Sequence, residues 1–144
     1  MEKIFKVYIY REGKKPYFHT TKLKGIYASE GWFMRLMVGN KQFVVTDPKK
    51  AHMFYFPYSV YEIVRGMYVP DCHNMHPLQL FLRNYVNMIA AKYPFWNRTQ
   101  GENHYFVACH DWVRSSTLYI WKFMKDFSVF GYLFCTLLNL DAYL

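Results

Sequence analysis

The sequence predicts an α/β fold: a Rossmann-like parallel sheet with flanking helices. Three observations carry that prediction: short apolar runs rich in β-branched and aromatic residues, longer segments with helical apolar spacing, and their succession in the order β-α-β-α-α-β. Strands separated by helical segments are joined by crossovers, and crossovers make parallel pairs. The first strand is expected over residues 4–10, IFKVYIY, bounded by the polar, turn-prone stretch 11–16. A short amphipathic helix opens at Ser29, where Ser29-Glu30-Gly31 precedes Trp32, Phe33, Leu36 and Met37, and Gly39-Asn40 stops it. Residues 42–46 read as a brief strand. Asp47 then caps a turn or single helical turn, Pro48-Lys49-Lys50, ahead of a second core strand over 53–56 that Pro57 ends.

Two helices follow. From Ser59 the apolar positions Val60, Ile63, Val64, Met67 and Tyr68 recur at helical spacing until Pro70-Asp71. A second series, Leu78, Phe81, Leu82, Tyr85, Ile89 and Tyr93, runs from Pro77 to Pro94. Residues 104–110, HYFVACH, read as another buried strand, with Asp111 directly beyond its carboxyl end.

Composition narrows the class. A chain of 144 residues with 53% hydrophobic and 22% aromatic content has room for one core, and such content excludes disorder over most of its length. The longest uncharged stretch near the C-terminus, residues 127–140, falls short of the roughly 20 residues that a spanning helix needs. The opening Met1-Glu2-Lys3-Ile4-Phe5-Lys6 has no apolar core of the kind a secretory signal carries. Three cysteines, Cys72, Cys109 and Cys135, form neither an even framework nor a CxxC pair. The formal charge of +8 comes in part from Lys14, Lys15, Lys22, Lys24, Lys49 and Lys50, scattered through loops, so a solvated surface is expected rather than a nucleic-acid partner.

From residue 113 the chain differs in kind. Its last 32 residues hold eight aromatics and none of the prolines or histidines, and their apolar positions cover too many helical faces for one stripe. Val113-Arg114 can be encoded as GTA-AGA, the form of an intron's donor boundary, so residues 113–144 read as a divergent, aromatic-rich tail translated from intron.

Four ordered blocks resemble a known family. They are Val7-Tyr8-Ile9-Tyr10 with Pro16 and Phe18-His19, and the run from Gly25 through Ser29-Glu30-Gly31-Trp32 to Met34. The third is the run from Asp47-Pro48 through Phe54-Tyr55-Phe56-Pro57 to Ser59. The fourth joins Tyr93-Pro94-Phe95-Trp96-Asn97-Arg98 to His104 and on to His110-Asp111-Trp112. Together they are similar to the plant exostosin-like glycosyltransferases, glycosyltransferase family 47, across residues 3–112.

The resemblance implies a GT-B architecture, with two Rossmann-like domains facing across a cleft, of which residues 1–112 would be the incomplete, acceptor-side N-terminal half. It implies transfer of a sugar from a nucleotide donor, a UDP-sugar, to a cell-wall or glycoprotein glycan acceptor. The donor-gripping domain has no counterpart here, so no cofactor is expected on this chain and an inactive fragment is. For the family the resemblance implies the lumenal side of the Golgi membrane, held by a signal anchor. With no anchor visible in the sequence, a cytosolic location is the alternative. The competing function is a non-catalytic module that binds glycan or associates with full-length family members.

The residues themselves nominate a site. Transfer with inversion needs a base for the acceptor hydroxyl, and His110 and Asp111 stand at the mouth of the predicted parallel sheet. Equally, Asp111 suits a helix cap and His110 a bond to a neighbouring carbonyl. Glu30 opens the first helix, where a carboxylate either faces the cleft or answers the helix N-terminus. Cys72, His73 and His76 lack the matching half of a zinc site unless His19 or His104 joins them, so no metal is expected. No G-x-S-x-G, G-x-G-x-x-G or P-loop is present. Asn97-Arg98-Thr99 is a glycosylation acceptor in an expected exposed loop, and Trp32 or Trp96 offers a ring for stacking on sugar.

Overall fold

The computed structural model describes residues 5–71, 74 and 76–107. The strands and helices, in chain order, are β1 (Val7–Ile9), α1 (Ala28–Gly39), β2 (Met53–Tyr55), α2 (Val60–Met67), α3 (His76–Lys92), α4 (Phe95–Thr99) and β3 (His104–Tyr105), with a 3-10 turn at Pro48–Lys50 before β2. The three strands form one sheet in the order β1-β2-β3, and both pairs are parallel, with Val7 opposite Met53 and Phe54 opposite His104. The predicted α/β class and parallel pairing are therefore what the chain adopts. No helix of the described residues is long and apolar enough to cross a membrane.

The two faces of the sheet are filled differently. Because successive strand residues point to opposite sides, Tyr8, Tyr10, Phe54, Phe56 and His104 face one way and Val7, Tyr55 and Tyr105 the other. The first face is covered by α2, α3 and α4 through Val60, Ile63, Leu78, Tyr85, Ile89 and Phe95. It is an aromatic core, with Phe54 stacked on Phe95 at 5.0 Å and Phe18 on Tyr85 at 4.2 Å. On the second face the helical residues are those of α1, Met34 with Phe33 and Met37 beside it.

Several elements depart from expectation for identifiable reasons. The stretch 42–46 contributes one parallel bridge, Val44 to Val7, on the outer edge of β1. Asp47 caps its 3-10 turn as expected, its Oδ1 accepting from the Lys49 N–H at 3.0 Å. The strand expected over 104–110 is confined, within the described residues, to His104–Tyr105. Its ladder stops because β2 stops: Phe56 N–H donates to the Tyr105 carbonyl at 2.9 Å, Pro57 has no N–H, and the Tyr58 N–H turns back to the Phe56 carbonyl. The loop expected around Asn97 is instead the short helix α4. Pro94, with φ of −75°, presets its start, and Gln100 and Gly101, with φ of 52° and 89°, end it in left-handed backbone.

Helix α1 is not amphipathic in the expected sense. Glu30 is its only acidic residue and is 2% exposed, while Leu36 is 66% exposed. It begins one residue earlier than Ser29, with Tyr27 at the cap position and no side-chain cap. Gly31 lies where a Cβ would collide with the Lys22 carbonyl, so α1 presses directly on the backbone of the preceding loop.

Candidate active edge of the sheet

In a parallel sheet the loops that leave the carboxyl ends of the strands meet at one edge, and ligands bind there. Here those loops are residues 10–19 after β1, 56–59 after β2 and 106–107 after β3. The first two are laced together. His19 N–H donates to the Pro57 carbonyl at 2.8 Å, Ser59 N–H donates to the Tyr17 carbonyl at 2.8 Å, and Phe18 bridges Tyr58 antiparallel. His19 holds a left-handed backbone, φ 58°, and its Nε2 lies 3.1 Å from the carbonyls of both Arg11 and Glu12. Carbonyls only accept, so Nε2 carries the proton and donates to them.

Glu12 anchors the same loop to the end of α3. Its Oε1 accepts from Lys92 Nζ at 2.6 Å and from the Tyr93 hydroxyl, and the Tyr85 hydroxyl donates to its carbonyl at 3.2 Å. Burial works against ionising Glu12, but the bonds from Lys92 and Tyr93 outweigh it and hold its carboxyl below the usual value. The Glu12 carboxylate in turn pushes the Tyr93 hydroxyl up. Oε2 of Glu12 is buried without a hydrogen-bond partner among the described residues. Sequence reasoning passed over Glu12 as part of a polar turn. The available signal was a carboxylate placed three residues beyond the last strand residue, Ile9.

Beneath this edge lies a buried polar pair. The Tyr10 hydroxyl and His104 Nε2 are 2.8 Å apart, joining β1 to β3 across the face of β2. His104 is packed against Phe54 at 4.7 Å and Trp96 at 4.8 Å. Desolvation lowers its pKa to about 3 and raises that of Tyr10, so near neutrality both are uncharged. The pair is scaffold and moves no proton at that pH.

Of the nominated residues, His110 and Asp111 lie outside the described residues, as do Cys72 and His73. Glu30 is in the first turn of α1, as expected, but it is buried rather than open to a cleft, and its carboxylate reaches another helix. Oε1 accepts from the Val60 N–H at 3.0 Å and the Tyr61 N–H at 3.4 Å, so Glu30 reaches from α1 to the start of α2. There it joins Ser59, whose Oγ accepts from the Glu62 N–H. Negative charge and N–H acceptance at a helix N-terminus are both stabilising, which accounts for a carboxylate this deeply buried. Trp96 packs on Phe56 and His104 in the core, whereas Trp32 is 46% exposed on α1 with Arg35 5.4 Å from its ring. Asn97 is exposed on α4, its Nδ2 donating to the Ala90 carbonyl at 3.3 Å.

The fold and this edge define a class: a parallel α/β domain with preformed loops at the carboxyl ends of its strands. Comparison with known families makes it specific, because residues 1–124 match the Exostosin GT47 domain. The chain belongs to that family. It is 41% identical over 112 residues to a "probable glycosyltransferase" of Arabidopsis thaliana, an alignment covering 78% of this chain and 22% of the relative. A second protein of that description from the same plant is 38% identical over 123 residues, 85% of this chain and 26% of the relative. More distantly, a "probable beta-1,4-xylosyltransferase" of Arabidopsis thaliana is 29% identical over 91 residues, 62% of this chain and 20% of the relative. The chain thus spans about a quarter of the length of the first two of these curated relatives. No solved structure matches it.

Proposed function

We propose that this chain is the acceptor-side part of a GT-B glycosyltransferase, and that the complete protein moves a sugar from a UDP-sugar onto a glycan. The observation that carries the reading is the match of residues 1–124 to the exostosin domain, with three parallel strands that open their carboxyl ends onto one laced edge. In such a transfer the acceptor oxygen attacks the anomeric carbon, the bond to the UDP oxygen breaks, and the hydroxyl proton passes to a base. His110 and Asp111, a few residues past β3, are the residues assigned to that proton. Glu30 supports the edge from behind by holding α2 to α1. The expected setting is the Golgi lumen, where Asn97 would accept a glycan.

The test is calorimetric titration of the 144-residue chain with UDP, UDP-xylose and UDP-glucuronic acid, and separately with xylan oligosaccharides, a probe chosen from the names of the relatives. Oligosaccharide binding without UDP binding is expected. Micromolar binding of UDP that disappears on unfolding overturns the acceptor-side assignment.

A further inference from the structure

The loop that leaves β1, residues 10–27, carries five cations, Arg11, Lys14, Lys15, Lys22 and Lys24, and a single acid, Glu12. That acid is spent inside the fold, its side chain 12% exposed and paired with Lys92. Glu30, the next acid along the chain, is buried on N–H groups of α2. Four of the five cations are exposed, and Lys22 is half-buried. The carboxyl edge thus turns its acids inward and its cations outward. Lysine and arginine only donate hydrogen bonds, so such an edge offers little to sugar hydroxyls that must donate, and suits a group with unprotonated oxygens.

Two elements bring cations together at one point of this edge. Lys22 Nζ lies 4.3 Å from the centre of the Tyr61 ring, and the Arg65 guanidinium carbon lies 6.0 Å from it. Tyr61 is the second residue of α2, and Arg65 stands four residues on, on the same face. Hydrogen bonds from Arg65 and Lys22 reach the Tyr61 hydroxyl and hold it below the usual tyrosine value. Close packing fixes both sides of the cluster: a Cβ on Gly31 would strike the Lys22 carbonyl, and one on Gly66, next to Arg65, would strike the Tyr17 ring. Tyr27 meets Tyr61 edge-on at 5.4 Å. The acid at hand is Glu62, its Oε2 3.7 Å from Arg65 Nε, and an ion pair that long on an exposed arginine neutralises little. Lys22 has no carboxylate partner among the described residues. We propose that Lys22 and Arg65, converging on Tyr61, form a subsite for the carboxylate of a uronic acid in the acceptor glycan. A carboxylate there gains two charge-assisted donors, one of them the planar fork of Arg65. An acidic acceptor presupposes the acceptor-side reading given above.

Calorimetric titration of the intact 144-residue chain tests it with a matched pair of probes, xylotetraose and xylotetraose bearing one glucuronosyl branch, at low and at high salt. At low salt the branched acid is expected to bind about tenfold tighter, the gain of one charge-assisted hydrogen bond, and at high salt to lose that advantage. Arg65→Gln and Lys22→Gln are each expected to abolish the preference at an unchanged thermal midpoint. The Arg65 side chain is 68% exposed, so its replacement leaves the packing of α2 in place. Lys41→Gln, just past the far end of α1, is expected to change nothing. Equal binding of the two probes, or a preference that survives both variants, overturns the subsite and leaves the acceptor-side reading standing. Binding of neither probe overturns both together. Binding of UDP or inorganic phosphate that is lost in Arg65→Gln assigns the two cations to phosphate and overturns the carboxylate.

Discussion

Glu30 shows how one carboxylate can be assigned to a scaffold by its partners. The Val60 N–H it accepts from belongs to a buried residue, so deleting the carboxylate leaves a donor in an apolar site. Glu30→Ala is expected to lose about 2 kcal/mol in urea unfolding, and Glu30→Gln, which keeps an acceptor oxygen, about 1 kcal/mol. Unchanged stability in both would return Glu30 to the list of cleft groups. His104 makes a prediction about pH. Its folded pKa, about 3, is lowered by burial from the ordinary 6.5, so the unfolded chain binds the extra proton and stability rises with pH between these values. Below 6.5 the contribution is progressively lost. Between pH 7.5 and 5 the loss is about 2 kcal/mol, a window above the range in which Glu12, lowered from 4.5, takes part. Urea midpoints at pH 7.5, 6 and 5 measure it, and a flat profile would show that His104 is not buried neutral. Neither role was legible in the sequence. A glutamate in a first turn and a histidine opening an apolar run announce their positions, but their partners lie 30 and 94 residues away.

The elements themselves were mostly legible, because periodicity and caps are local. Asp47 caps as expected, α2 starts directly after Ser59, and the helical spacing from Pro77 to Tyr93 corresponds to α3. What failed was strand length, set by pairing partners, and the face on which α1 is buried, set by the sheet beneath it. Gly31 illustrates the difference. In an isolated helix, Gly→Ala is favourable by about 1 kcal/mol. At this position the new methyl meets the Lys22 carbonyl, a backbone atom that cannot swing aside. Gly31→Ala is therefore expected to lower the thermal midpoint, whereas the same change at Gly39, where a Cβ meets nothing, is expected to raise it or leave it unchanged. Paired thermal melts check the contrast. A rise at both positions would mean that the loop before α1 is not pressed against it.

At the scale of the molecule, the two edges of the sheet have different uses. The carboxyl edge carries the laced loops of Glu12, His19 and Ser59, while α4 sits toward the opposite edge, where Thr99 Oγ1 donates to Asn103 and Asn103 Nδ2 reaches the His52 carbonyl just before β2. A glycan on Asn97 would thus stand away from the proposed acceptor site. If the chain is carried into the secretory lumen by an added signal sequence, Asn97 is expected to be glycosylated, and Asn97→Gln to lose that mass without losing oligosaccharide binding. Intact-mass spectrometry checks both, and an unmodified Asn97 in folded, secreted protein would refute the assignment. By itself the sequence determined the α/β class, the parallel pairing, the Asp47 cap and the exostosin family, because these rest on local spacing and on blocks of consecutive residues. Only the tertiary structure decided that Glu30 caps a helix other than its own, that Glu12 is the carboxylate tied into the carboxyl edge, and that α1 turns Trp32 outward. Those outcomes depend on which distant backbone groups come within hydrogen-bonding distance once the sheet has formed, and no short stretch of sequence encodes that.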